Sequence, residues 1–181
     1  MAIGQGYVLI TPIQLAVAYG AIATGKLVKP HLFKEVKNDV GNVVSKFESE
    51  EIGKPDVSRE HLEIIRDALH GVATENASVS AIFSSLGLDA AAKTGTAEVA
   101  GKNDFAWTAA YAPYDKPKYV ATCIIEEGGG GSGAATPVVA NVLKAAVDSM
   151  DGKLNLDDIG YIGGSTGRSV AISSKGGSRT D

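Results

Sequence analysis

Three consecutive segments with strand character restrict the fold of this chain more than any other feature. They run through residues 90–96, 105–112 and 119–127. The links between them are short, and the second link, PYDKPK, carries two prolines that favour a loop. Parallel strands need a crossover of about a dozen residues or more. The short links therefore predict an antiparallel sheet.

Helix signals stand on both sides of these strands. Thr11-Pro12-Ile13-Gln14 combines an N-cap, a first-position proline and a capping box, and Gly25 can end the helix that follows. Ser58 can cap a second helix. Thr136-Pro137 carries the same cap and proline signal, which predicts a last helix ending before Gly152.

The remaining segments complete an α+β order. Residues 31–37 and 42–48 flank a turn sequence and predict a hairpin, whereas the small and serine-rich stretch 73–85 is expected to be irregular. Alternation places the small residues of the second strand on one face, where a helix can pack closely. These residues are Ala106, Thr108, Ala110 and Ala112. The order of elements predicts an antiparallel sheet with packed helices.

Composition and charge separate a domain from a tail and argue against some classes of function. A net charge of −4 argues against a general nucleic-acid partner. No apolar run is long enough to span a membrane, and the first residues lack the pattern of a signal peptide. We predict one domain over residues 1–150 and a flexible Gly- and Ser-rich tail over 151–181.

Two glycine patterns resemble nucleotide motifs. Gly20 to Lys26 nearly matches a phosphate-binding loop, but these residues close a helix, and a phosphate loop must open one. Gly128, Gly130 and Gly133 match GxGxxG between a strand and a helix, so a dinucleotide-binding module stays an alternative. The helix signal at Thr136 lies beyond the third glycine, which favours a plain loop.

No metal or organic cofactor is predicted. The three histidines His31, His61 and His70 are far apart, and Cys123 is the only cysteine. Ordinary ligand spacings cannot assemble a metal site from this set.

The segment Lys93-Thr94-Gly95-Thr96, here called the KTG segment, suits a substrate site. An amine and two hydroxyls at a strand end can hold a carboxylate. Gly95 lets a substrate backbone approach closely, and a neighbouring backbone N–H can stabilise an oxyanion. The competing interpretation is an ordinary strand end and turn.

Several blocks then point to one family. Lys-Thr-Gly is a signature of penicillin-binding proteins and class A β-lactamases. IGQGYVLITPIQLAVAYGAIA (3–23), AKTGTAE (92–98) with GKNDFAWTAAYAP (101–113), and YVATCIIEEGGGGSGAATPVVANVL (119–143) occur in the family's order. The chain resembles the C-terminal part of a class B penicillin-binding transpeptidase domain, of the cell-elongation type. The implied fold is an incomplete penicillin-binding or serine β-lactamase-like transpeptidase fold.

The resemblance implies roles for the KTG segment. Lys93 and Thr96 would be catalytic: Lys93 shapes the electrostatics of the cleft, and the Thr96 N–H forms half of the oxyanion hole. Lys93, Thr94, Gly95 and Thr96 would bind the peptidoglycan stem peptide or a β-lactam. The implied reaction is D,D-transpeptidation, an acyl transfer through a serine ester that crosslinks the cell wall.

Two family motifs, S-x-x-K and S-x-N, are missing; Thr74-Glu75-Asn76 is the nearest candidate for the second, but it lies after the GQG block and does not fit. None of the lysines has a serine three residues before it, so S-x-x-K and its nucleophile are absent. We therefore expect a truncated domain, inactive alone, whose partner is the N-terminal remainder of the transpeptidase domain. The alternative is a non-catalytic peptidoglycan-binding module. The parent protein is expected at the outer face of the bacterial cytoplasmic membrane, with no membrane contact from this segment.

Overall fold

The computed structural model describes residues 4–6 and 8–150. The predicted tail, 151–181, lies outside the described residues. Four helices and seven strands form the described part. In chain order they are α1 (Pro12–Thr24), β1 (Leu27–Val28), β2 (Glu35–Lys37), β3 (Val43–Lys46), β4 (Glu51–Gly53), α2 (Arg59–Glu75), α3 (Ala77–Ser85), β5 (Ala91–Ala97), β6 (Phe105–Ala112), β7 (Tyr119–Ile125) and α4 (Gly131–Met150).

The central sheet has the order β5-β6-β7, with antiparallel neighbours throughout. Gly95 of β5 pairs with Trp107 of β6, and Trp107 pairs in turn with Ile124 of β7. The predicted antiparallel sheet is confirmed, and β5 and β7 form its two edges.

The predicted hairpin is confirmed. β2 pairs antiparallel with β3, and the Asn38 side chain accepts from the backbone N–H of Val40 and Asn42 at 3.2 and 2.9 Å. Gly41 closes this turn with φ 86°, a left-handed conformation that glycine tolerates. β1 pairs with β4 in a separate two-stranded sheet, which the sequence pattern did not predict.

Helix α1 begins and ends as predicted. Thr11 accepts from the N–H of Gln14, and the Gln14 side chain accepts from the N–H of Thr11, which makes a full capping box. Gly25 ends the helix in the left-handed conformation at φ 72°. The pattern Gly20 to Lys26 is therefore a helix C-terminus and no phosphate loop.

Residues 73–85 are helical, and the expectation of an irregular stretch is wrong. Asn76 interrupts the helices, and its side chain accepts from the N–H of Ser78 and Val79 to start α3. Val79 and Phe83 of α3 are fully buried in the core. Burial of these two side chains stabilises a helix whose serine-rich sequence alone favours it only weakly.

Helix α4 packs on the small-residue face of β6, as predicted. Ala110 and Ala112 are fully buried there against Val139 and Leu143. The predicted start at Thr136 is wrong, because α4 begins at Gly131 and holds Pro137 inside the helix. No helix in the described part of the chain is long and apolar enough to cross a membrane.

Candidate functional site

The KTG segment lies on β5, at an open edge of the central sheet. Lys93 is exposed, and its Nζ donates to the backbone carbonyl of Thr94 at 2.7 Å. Within the described residues no carboxylate comes close enough to Lys93 to form an ion pair. The amine thus stands at the edge with its charge uncompensated by a side chain.

Successive residues of β5 direct their backbone N–H and C=O groups to opposite sides of the strand. At the β6 side, the N–H of Tyr114 donates to the carbonyl of Asp89 at 3.2 Å. At the other side, the N–H of Glu98 donates to Gln5 Oε1 at 2.9 Å. Alternate residues of an edge strand direct their backbone groups to the same side. The N–H of Thr96, two residues before Glu98, is therefore directed to the open edge.

A cavity of about 430 Å³ adjoins this edge. The KTG segment contributes all four of its residues to the lining. The segment before α1, Tyr19 of α1 and Trp107 of β6 also line it. Burial raises the pKa of Tyr19 to about 12, which keeps its phenol neutral across the physiological range.

The cavity lining joins one cation, one carboxylate (Glu98), two hydroxyls and an outward N–H to an apolar wall. Such a set can bind a carboxylate and stabilise an oxyanion beside an apolar substrate part. The structure thus brings the four predicted residues, Lys93 to Thr96, to one cavity.

Three of the cavity residues that sequence reasoning missed are Gln5, Trp107 and Tyr19. Gln5 lies 93 positions from its partner Glu98, and no local pattern shows such a contact. Trp107 follows from the register, because it pairs with Gly95, which has no side chain to cover the indole. Tyr19 lies in a helix that is apolar nearly all round, so periodicity alone gives it no direction.

The strand before the 128–133 loop argues against a dinucleotide module. β7 is antiparallel to β6, whereas the dinucleotide fingerprint belongs to a parallel βαβ unit. Gly133 does lie inside α4, contrary to the expectation that the helix starts later.

An antiparallel sheet with packed helices and a Lys-Thr-Gly edge defines the class of penicillin-binding acyl-transfer folds. The family described as penicillin binding protein transpeptidase domain matches residues 1–144. The chain belongs to this family, and the recognition made from the sequence motifs is confirmed.

Two similar proteins of known name are both peptidoglycan transpeptidases. Peptidoglycan D,D-transpeptidase MrdA of Haemophilus influenzae is 34% identical over 163 residues, which are 79% of this chain and 24% of that protein. The protein of the same name in Escherichia coli is 31% identical over 165 residues, or 82% and 25%. The chain spans about a quarter of the length of these relatives.

Solved structures agree on the fold. A penicillin-binding protein of Helicobacter pylori is 32% identical with a TM-score of 0.63, over 84% of this chain and 26% of that one. Penicillin-binding protein A of M. tuberculosis, solved as a penicillin G acyl-enzyme complex, is 26% identical with a TM-score of 0.66, over 80% and 34%. The predicted α+β transpeptidase fold is confirmed.

Proposed function

We propose that this chain forms the KTG side of the active site in a D,D-transpeptidase that crosslinks peptidoglycan. Membership of the transpeptidase family and the names of the MrdA relatives support the reaction. The observation that carries the proposal is the KTG segment at an open sheet edge, exposed at Lys93 and Thr96, beside a cavity of about 430 Å³.

Each residue of the KTG segment has a proposed part in the reaction. The Lys93 ammonium places a positive charge in the cleft and acts on the proton and charge movements at the nucleophile. The hydroxyls of Thr94 and Thr96 hold the carboxylate of the stem peptide, and Gly95 leaves room for its backbone. The Thr96 N–H donates to the oxyanion of the tetrahedral intermediate.

The nucleophile comes from outside this sequence in our proposal. An acyl transfer through a serine ester needs an activated serine, and no serine here has a lysine three residues after it. The partner is the preceding part of a transpeptidase domain, which would bring S-x-x-K to the cavity. We place the complete protein at the outer face of the cytoplasmic membrane, with a role in cell elongation.

The same site would accept β-lactams. A penicillin presents a carboxylate and a reactive carbonyl, and these match the hydroxyls and the outward N–H of the KTG segment. Penicillin-binding protein A of M. tuberculosis forms an acyl-enzyme with penicillin G. We propose that this chain supplies the corresponding contacts once the serine is present.

The test uses a chain made by joining the preceding part of the transpeptidase domain of an MrdA relative to this sequence, here called the joined domain. We expect a fluorescent penicillin to label the joined domain at its S-x-x-K serine. The 181-residue chain alone should show no mass gain after incubation with the same compound.

Two outcomes would contradict the proposal. A stoichiometric mass gain on a serine of the chain alone would show that the nucleophile lies within it. A folded joined domain that binds muropeptide but takes no label would favour the non-catalytic peptidoglycan-binding module.

A further inference from the structure

The first turn of α4 lies directly against the backbone of the KTG segment. A Cβ built at Gly131 would lie 2.5 Å from Gly95 O, 3.0 Å from Gly95 N and 2.3 Å from Trp107 O. These are backbone atoms of two paired strands, so they cannot rotate away as a side chain can. Glycine at position 131 is what lets the helix approach this close.

Two buried hydroxyls fix the same turn to the sheet. Thr108 and Thr136 are both fully buried, and their Oγ1 atoms lie 2.9 Å apart. Thr136 Oγ1 donates to the carbonyl of Gly131 at 3.1 Å. Thr108 is the residue of β6 that pairs with Thr94. The hydroxyl pair therefore connects the start of α4 to the strand beside the KTG segment.

Pro137 makes these contacts more important. A proline inside a helix has no N–H, so the carbonyl of Gly133 loses its usual donor four residues later. The first turn of α4 receives less support from the rest of the helix. Its position consequently depends on Gly131 and on the hydroxyl pair.

We propose that Gly131 and Thr136 are positioning residues for the KTG segment, through which they act on acylation. This inference rests on the proposed transpeptidase function. Contact at Gly95 sets the position of β5 relative to α4, and with it the direction of the Lys93 amine and the Thr96 N–H. A side chain at position 131 would displace both groups from the reacting carbonyl.

Hydrogen exchange on the full 181-residue chain tests whether Gly131 holds β5 in position. Gly131→Ala is compared with Gly133→Ala, because a Cβ at Gly133 has no atom within 4 Å and both positions lie in α4. We expect faster exchange in β5, residues 91–97, for Gly131→Ala alone. Equal exchange in the two variants would overturn the inference.

Acylation of the joined domain tests the chemical part. A misplacement of about 1 Å can cost about 10²-fold in rate. We expect Gly131→Ala to slow acylation about 10- to 100-fold, and Gly133→Ala to stay within about two-fold of the parent. Thr136→Val should slow acylation, while Thr136→Ser, which keeps the hydroxyl, should restore it; this pair decides the matter if Gly131→Ala does not fold.

A double-mutant cycle separates positioning from general destabilisation. If Gly131 acts through the KTG segment, its substitution should cost less in a Lys93→Ala background, which removes one of the two displaced groups. Equal losses in both backgrounds at a temperature where all variants are folded would contradict the inference. A parent joined domain that folds but takes no acyl group would contradict the proposed function instead, and the exchange comparison would still decide the role of Gly131.

Discussion

At the residue scale, the proposed site combines four adjacent residues with contacts from distant parts of the chain. Lys93 to Thr96 place an amine, two hydroxyls and a glycine side by side on one strand. Gln5 contacts Glu98 from 93 positions away, and Gly131 lies against Gly95 from 36 positions away. The amine of Lys93 is the charged group among the four adjacent residues, and its removal gives the most direct test.

Lys93→Ala in the joined domain should slow acylation strongly with little effect on folding. The Lys93 side chain is exposed at a sheet edge, so its removal takes away little packing. Loss of one group that stabilises developing charge typically costs about 10²–10³-fold in rate. Stopped-flow acylation and thermal unfolding measure the two effects. A rate within a few-fold of the parent would show that Lys93 has no such role, and Lys102→Ala is a control on a lysine outside the cavity lining.

Tyr114 is predicted to ionise late and to make the fold sensitive to alkali. A hydrogen bond to the Asp67 carboxylate, with a further contribution from burial, raises the pKa of Tyr114 from 10.0 to about 12. Because the pKa is raised in the folded chain, this stability is present below pH 10 and is lost as the pH rises to about 12. The absorbance of the phenolate, recorded as a function of pH, measures this ionisation.

Asp67→Asn should move this tyrosine titration back toward pH 10, because the neutral amide no longer disfavours the phenolate. Asp115→Asn is the matched control, since Asp115 neighbours Tyr114 but contributes nothing to its pKa shift. Identical titration curves for the parent and Asp67→Asn would refute the assignment.

At the element scale, the sequence predicted helix ends correctly where a cap satisfies the free backbone N–H or C=O groups of those ends. The capping box at Thr11 and the left-handed Gly25 are local solutions to unsatisfied helix ends, and both were readable. The helix start predicted at Thr136-Pro137 is wrong because the Thr136 hydroxyl forms hydrogen bonds within the buried interface and caps no helix. The prediction of an irregular stretch over residues 73–85 is wrong because burial of Phe83 in α3 outweighs the weak helix propensity of this sequence.

The packing of α4 on β6 gives an element-scale prediction. Ala110 is fully buried between them, and the interface has no room for a larger side chain. We expect Ala110→Leu to lower the free energy of unfolding by about 1–3 kcal/mol through overpacking. Ala100→Leu, at an exposed turn, should stay within about 0.5 kcal/mol. Urea denaturation that gives equal values for the two variants would contradict the close packing.

At the scale of the whole molecule, the sheet order followed from the sequence and the packing partners did not. Short links force antiparallel neighbours, so β5-β6-β7 could be derived. Which surfaces remain open depends on the three-dimensional arrangement. The segment before α1 exposes Val8, Leu9 and Ile10, and Leu9 is 91% exposed. These side chains line the cavity together with the KTG segment of the edge strand β5.

The described part of the chain therefore presents an apolar surface beside an unpaired strand edge. An open edge can pair with another chain, and apolar side chains next to it add burial to that pairing. We predict that the isolated chain self-associates. Leu9→Lys should weaken the association, because it places a charge beside the edge. Leu32→Lys should not, since Leu32 is at least as exposed but lies between β1 and β2, outside the cavity lining. Light scattering over a range of concentrations, with thermal unfolding, measures the effect. A strictly monomeric parent with a sharp cooperative transition would show that this surface is stable without a partner.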